Sequence, residues 1–158
     1  MSAGRTLPTA SEVEQEILRS PYHRWLGLSV VEVRPDGIDL RATPREEWAN
    51  ADGTDVVHGG ILAGLLDLAA DWALVGAFGT GVPTIDLTVN YLRAASLGGP
   101  LHATGRVIRP GRQVSVAEAE IRDDAGRLIA VGRGSFLSSV AAAQAPQQRA
   151  PHTEATAR

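Results

Sequence analysis

The chain contains no cysteine and no lysine. Without cysteine there can be no disulfide, no zinc–thiolate centre and no cysteine nucleophile. Without lysine, Schiff-base chemistry is excluded. A strong charge of one sign is also missing. The formal net charge is −3 over 158 residues, with no basic stripe, which argues against a nucleic-acid partner. Met1-Ser2-Ala3-Gly4-Arg5 has no hydrophobic core behind it, so no signal peptide is expected and a cytoplasmic location is. What remains suffices for one domain with a core of its own.

The chain is organised around one stretch, His58 to Ala77. From Gly59 to Ala77 only Asp67 and Asp71 carry charge. A run this apolar on every face belongs to a buried helix. It is long enough to cross a bilayer. Two aspartates near its middle, with no aromatic belt and no basic flank, argue against a membrane span. Buried carboxylates must be satisfied or used. At the helix start, Gly59 and Gly60 leave unpaired N–H groups bare of side chains, where the helix dipole favours negative charge. That end can polarise a carbonyl. Asp67 lies about 12 Å further on, at 1.5 Å per residue. The two cannot meet on one small reacting group unless two copies of the helix run antiparallel across a dimer interface. Asp71 sits one turn beyond Asp67 on the same face.

The flanking sequence reads as short elements. Residues 1–10 are small and polar, and fraying is expected. Ser11 and Glu14 have capping-box spacing, and a short helix should run to about Ser20 with Val13, Ile17 and Leu18 inward. Pro21 stops it or starts another turn. A strand follows from Leu28 to Arg34, then a turn at Pro35-Asp36-Gly37 and a return strand from Ile38 to Thr43. Residues 44–57 form a loop. Beyond the helix, alternation predicts four strands: from Thr84, Leu101 to Arg109, Gln113 to Arg122, and Arg127 to Leu137. In the third, apolar residues switch phase from Val114 and Val116 to Ala117, Ala119 and Ile121, which predicts a β-bulge. Residues 138–158 are rich in Ala, Gln, Pro and Ser and read as a disordered tail. The order of elements is α+β, with an antiparallel sheet on one buried helix.

His58-Gly59-Gly60, six residues and then Asp67 resemble the hotdog-fold acyl-CoA thioesterases of the phenylacetic-acid-degradation type. Thr84 to Arg93 resembles that family's third strand. Arg109-Pro110-Gly111-Arg112 and Asp124-Ala125-Gly126-Arg127 resemble its later hairpins. The resemblance covers roughly residues 21–137, so the chain divides into an N-terminal segment (1–20), a hotdog domain (21–137) and a tail (138–158). It implies thioester hydrolysis with Asp67 as nucleophile or general base and the Gly59 and Gly60 amides on the carbonyl. It places a hydroxyl, here Thr84, beside the acid, and has His58 shape the loop near the thioester. No nucleophile-elbow serine is present to make His58 part of a triad.

The orienting amide that the family carries ahead of the histidine is either Asn50 or, by strict spacing, Asp52. Asp71 reads as a partner of the acid or a substrate-binding group. Arg93, Arg109 and Arg112 are candidates for the coenzyme A phosphates. Arg93 is followed by Ala94 where the family usually has proline. The resemblance implies no cofactor and no metal, with coenzyme A as part of the substrate, and a homodimer assembling to a homotetramer. A hotdog hydratase is a rival reading, but its Asp, four residues, His pattern is absent: five residues separate Asp52 from His58. A non-catalytic acyl-CoA-binding hotdog protein is the other rival. Trp48, Trp72 and Phe78 permit an aromatic acyl group without requiring one.

Overall fold

A computed structural model describes residues 6–144. Helix α1 spans Ala10–Ile17, and Thr9, not Ser11, caps it: Thr9 accepts from the Glu12 N–H and Glu12 reaches back to the Thr9 N–H. The Ser/Thr-x-x-Glu spacing fits both registers. In the observed one Glu14 is free to accept the Val30 N–H at 2.7 Å, tying α1 to the first strand. Val13 and Ile17 are buried as expected. The helix ends three residues short of Ser20, and Pro21 opens a separate turn, α2 (Pro21–Trp25).

Six strands follow: β1 (Leu28–Arg34), β2 (Gly37–Ala42), β3 (Thr84–Tyr91), β4 (Leu101–Arg109), β5 (Val114–Asp123) and β6 (Leu128–Leu137). Every pairing is antiparallel, in the order β1-β2-β4-β5-β6-β3. Strand β3 therefore leaves one edge of the sheet without a partner among the described residues.

The long apolar run divides. Helix α3 (Gly59–Trp72) is followed by a short α4 (Val75–Phe78), which stops at Gly79 in the left-handed conformation (φ 80°). Leu62, Leu65, Leu66, Leu68, Ala69, Ala70 and Trp72 are buried, and α3 packs on β4, β5 and β6. At about 25 cal/mol per Å2, those apolar side chains hold the helix to the sheet. The fit is tightest at β4. A Cβ placed on Gly105 would lie 1.8 Å from the Ala69 carbonyl oxygen.

Two expectations are corrected. The phase of β5 does not change: Ser115, Ala117, Ala119 and Ile121 all point inward and are buried. Val114 and Val116 lie on the outer face, so apolarity there does not mark the core side. A bulge does lie at the expected place, but on the partner strand: the β4–β5 pairing shifts between Val107 and Arg109, opposite Ala117 and Val116, and a second shift lies at Ile121/Arg122. The tail does not begin at Ser138. That side chain is buried against Ser115, its N–H donates to the Gln113 carbonyl at 2.9 Å, and a helix, α5 (Ser139–Gln144), follows with Ala141 buried. Residues 1–5 and 145–158 lie outside the described residues.

Candidate active site

The start of α3 is fixed by His58, its N-cap. The His58 backbone N–H donates to the carbonyl of the fully buried Trp48 at 2.7 Å. The imidazole Nδ1 accepts the Gly60 N–H at 2.9 Å. A cap side chain ordinarily takes the amide of the second or third helical residue. The Gly60 amide, expected beside that of Gly59 on a carbonyl, thus already has a partner within the chain. In the neutral ring an accepting Nδ1 leaves the proton on Nε2. The Gly59 N–H has no partner among the described residues. Its carbonyl accepts the Tyr91 hydroxyl at 2.9 Å, and a Cβ at Gly59 would meet the Tyr91 ring at 3.3 Å.

Gly59 shares an open depression of about 420 Å3 with Asn50, Val56, Leu62, Tyr91 and Arg93. Asn50 Oδ1 accepts the Thr54 hydroxyl at 2.6 Å, which leaves its side-chain N–H groups to donate. Asp52 is exposed on the same loop and takes no part in that wall. The geometry thus brings Asn50, and not Asp52, to Gly59. Arg93 stands on the depression and donates to the Leu128 carbonyl at 3.0 Å. Arg109 and Arg112 are elsewhere, in a separate depression at the β4–β5 turn with Gly111 and Gln113.

Asp67 is half-buried, and its Oδ1 accepts the Thr84 hydroxyl at 2.7 Å. Thr84 opens β3 and Tyr91 closes it. Gly59 lies at the Tyr91 end and Asp67 at the Thr84 end, so α3 and β3 run antiparallel, and the separation of about 12 Å persists along the helix. Asp71 faces the turn before β3, where its carboxylate accepts the Val82 N–H. Burial pushes Asp71 up to about 7 against the opposing Val82 hydrogen bond, and the Asp67 charge adds to the rise.

The sequence profile of the thioesterase superfamily matches residues 54–130. Human acyl-coenzyme A thioesterase 13 is 32% identical over 118 residues, which are 71% of this chain and 81% of that one. The medium/long-chain acyl-CoA thioesterase YigI of Escherichia coli is 27% identical over 154 residues, 87% of this chain and 99% of that one. A solved structure from the thioesterase superfamily is 41% identical, covers 81% of this chain and 96% of its own, and superposes with a TM-score of 0.77. The chain belongs to the thioesterase superfamily.

The sheet wrapped on α3 is accordingly a hotdog fold. In this thioesterase-superfamily chain the sequence reading missed one side chain against the helix turn that leads to Asp67, that of Tyr22. Its hydroxyl lies over Gly64, one turn before the acid. An aromatic in a short helix 45 positions from Asp67 carries no spacing signal, because only the tertiary fold brings the two together.

Asp71 supplies a pH prediction. Its carboxyl binds a proton up to about pH 7 in the folded chain, against 3.8 as the ordinary value. The native state therefore holds a proton that the unfolded chain releases between those values. The contribution to stability is fully present below the unfolded value and is lost as pH rises through the folded one. Asp71→Asn keeps an oxygen for the Val82 N–H and removes the titration. The variant's melting temperature should gain on wild type between about pH 5 and pH 8, with each pH unit inside the window adding at most about 1.4 kcal/mol. Paired thermal melts at the two pH values check this, and a difference independent of pH would contradict it.

Proposed function

We propose that this chain hydrolyses acyl-CoA thioesters to free acid and coenzyme A, at sites shared between two copies. The single observation that carries the reading is the split of the machinery along α3. The Gly59 N–H, without a partner among the described residues, stands at one end, and the Asp67–Thr84 pair stands about 12 Å away. A thioester carbonyl is smaller than that gap. Two α3 helices packed antiparallel would bring each Gly59 to the other chain's Asp67, giving two equivalent sites. The β3 edge, unpaired among the described residues, supports such pairing, since an exposed edge strand is a template for another chain. Tyr91 and Ile85 on that strand are each 54% exposed in the single chain.

In the shared site the Gly59 N–H polarises the thioester carbonyl, a contribution of about 3 kcal/mol for one positioned donor. The Asn50 amide stands on the same side. Asp67 acts on the thioester carbon, directly or through water, with its Oδ1 held by Thr84. Arg93 is placed to meet the coenzyme A phosphates. Coenzyme A enters as part of the substrate, and two such dimers assemble into a homotetramer. The names of the human and E. coli relatives support acyl-CoA as substrate.

The test is to incubate the purified protein with a panel of medium-chain, long-chain and aryl acyl-CoA thioesters and a thiol reagent. Release of free thiol above the protein-free rate is expected for at least one class. No release from a folded, oligomeric preparation would overturn the proposal.

A further inference from the structure

Tyr22 has a hydroxyl without a job in the fold. Its ring stacks on Trp25 at 6.2 Å and 18°, and Trp25 lies 6.3 Å from the buried Trp48. The residue is 45% exposed and its ring leans on Trp25 on one side, while the hydroxyl has no hydrogen-bond partner among the described residues. That hydroxyl lies directly against α3: a Cβ on Gly64 would come within 2.6 Å of it. Gly64 and Asp67 are three apart on one helix face, and side chains on a helix lean toward its N-terminus, so the Asp67 carboxylate leans toward Tyr22. Burial and then the Asp67 charge push the Tyr22 phenol up, so it remains a donor. No direct hydrogen bond joins the two groups among the described residues, and a bridging water is the link that polar groups over neighbouring turns of one helix can share. Thr84 occupies Asp67 Oδ1, leaving Oδ2 for that water.

We infer that the Tyr22 hydroxyl is a positioning group which, with Asp67 Oδ2, holds the water that attacks the thioester. The inference rests on the proposed thioesterase function and deepens it, because it routes the reaction through general base catalysis. The water oxygen accepts from the Tyr22 hydroxyl, and one water O–H donates to Asp67 Oδ2. The water oxygen bonds to the thioester carbon as its proton passes to Oδ2 and the carbonyl π pair moves onto the carbonyl oxygen, to return when the sulfur leaves. The carbon–sulfur bond then breaks, and the coenzyme A thiolate leaves and takes up that proton.

Two variants test it, each assayed for kcat and KM on the best substrate of the panel. Tyr22→Phe keeps the ring and its stacking but removes the donor. Gly64→Ala keeps the donor but pushes it aside, and alanine is the better helix former, so the fold is retained. Each should lower kcat about tenfold, the worth of one well-placed hydrogen bond, with KM within about twofold. In the Tyr22→Phe background, Gly64→Ala should add less than about twofold, since the displaced hydroxyl is already gone. The inference is overturned if either single variant keeps wild-type kcat or if the loss falls on KM alone. It is equally overturned if Gly64→Ala costs as much in the Tyr22→Phe background as it does alone. All these outcomes require a wild-type enzyme that depends on Asp67. An enzyme indifferent to Asp67→Asn would instead remove Asp67 from the proposed site, while an enzyme that releases no thiol would sink the proposed function.

Discussion

Asp67→Asn is expected to lower kcat at least about a hundredfold, the lower range of what a positioned base contributes, while leaving the melting temperature within a few degrees. Asparagine matches aspartate in shape, and its side-chain oxygen can still accept the Thr84 hydroxyl that Oδ1 accepts at 2.7 Å. What it loses is the capacity to take a proton or attack a carbonyl carbon. Removing one of two neighbouring carboxylates also relieves the Asp67 charge on Asp71, so the folded state has no reason to weaken. Asp67→Ala should be at least as inactive. Asp71→Asn should cost far less activity, because that carboxylate is engaged with Val82 and buried away from the reacting end. Steady-state kinetics of the three variants beside their thermal melts decide the matter. Wild-type kcat in Asp67→Asn would remove the acid from the mechanism.

The largest effect on stability is expected from Gly105→Ala. The added Cβ would stand 1.8 Å from the Ala69 carbonyl oxygen and 3.1 Å from the Ala73 Cβ. Neither neighbour can move alone: one is helix backbone, and Ala69 and Ala73 are both fully buried. Helix and sheet must move apart, which disturbs a helix whose Leu65, Leu66 and Ala70 are also fully buried. Overpacking typically costs about 1–3 kcal/mol, and a contact this short against backbone belongs at the upper end, about 3 kcal/mol, or about 6–12 °C in melting temperature for a chain of this size. Alanine at Gly126 is a useful control, since a Cβ there meets nothing within 4 Å although its φ of 77° disfavours a side chain. If Gly105→Ala melted with wild type, the close approach of α3 to β4 would be wrong.

The sheet order could not be read from alternation, but the strands themselves could. Residues 28–34 and 101–109 alternate or turn where local chemistry dictates, and β1 and β4 have those bounds. The position of β3 beyond β6 depends on a crossover that no local signal encodes. The Val114 and Val116 pair misleads because two apolar residues on an outer face look the same in sequence as two on an inner one. Asp67 is legible because a carboxylate in an apolar helix demands an explanation. His58 as a cap is not, since histidine rarely takes that place, and so the loss of the Gly60 amide as a free donor could not be foreseen. Gly64 likewise looks like one more small residue in a buried helix, and only the place of Tyr22 shows what it makes room for.

In the proposed shared site Gly59 comes from one chain and Asp67 from another, and a mixture of two inactive variants can recover activity only if that is so. One variant carries Asp67→Ala. The other carries Gly59→Pro, which deletes the N–H at the first helical position, where proline fits. His58, with ψ 135°, already has the extended conformation that a following proline requires. Unfolded together and refolded in equal amounts, about half the dimers should be mixed by random pairing. Each mixed dimer has one site with both lesions and one with neither. About a quarter of the wild-type activity should then return. If both variants are inactive and folded alone, and the refolded mixture contains mixed dimers yet remains inactive, the shared site is contradicted.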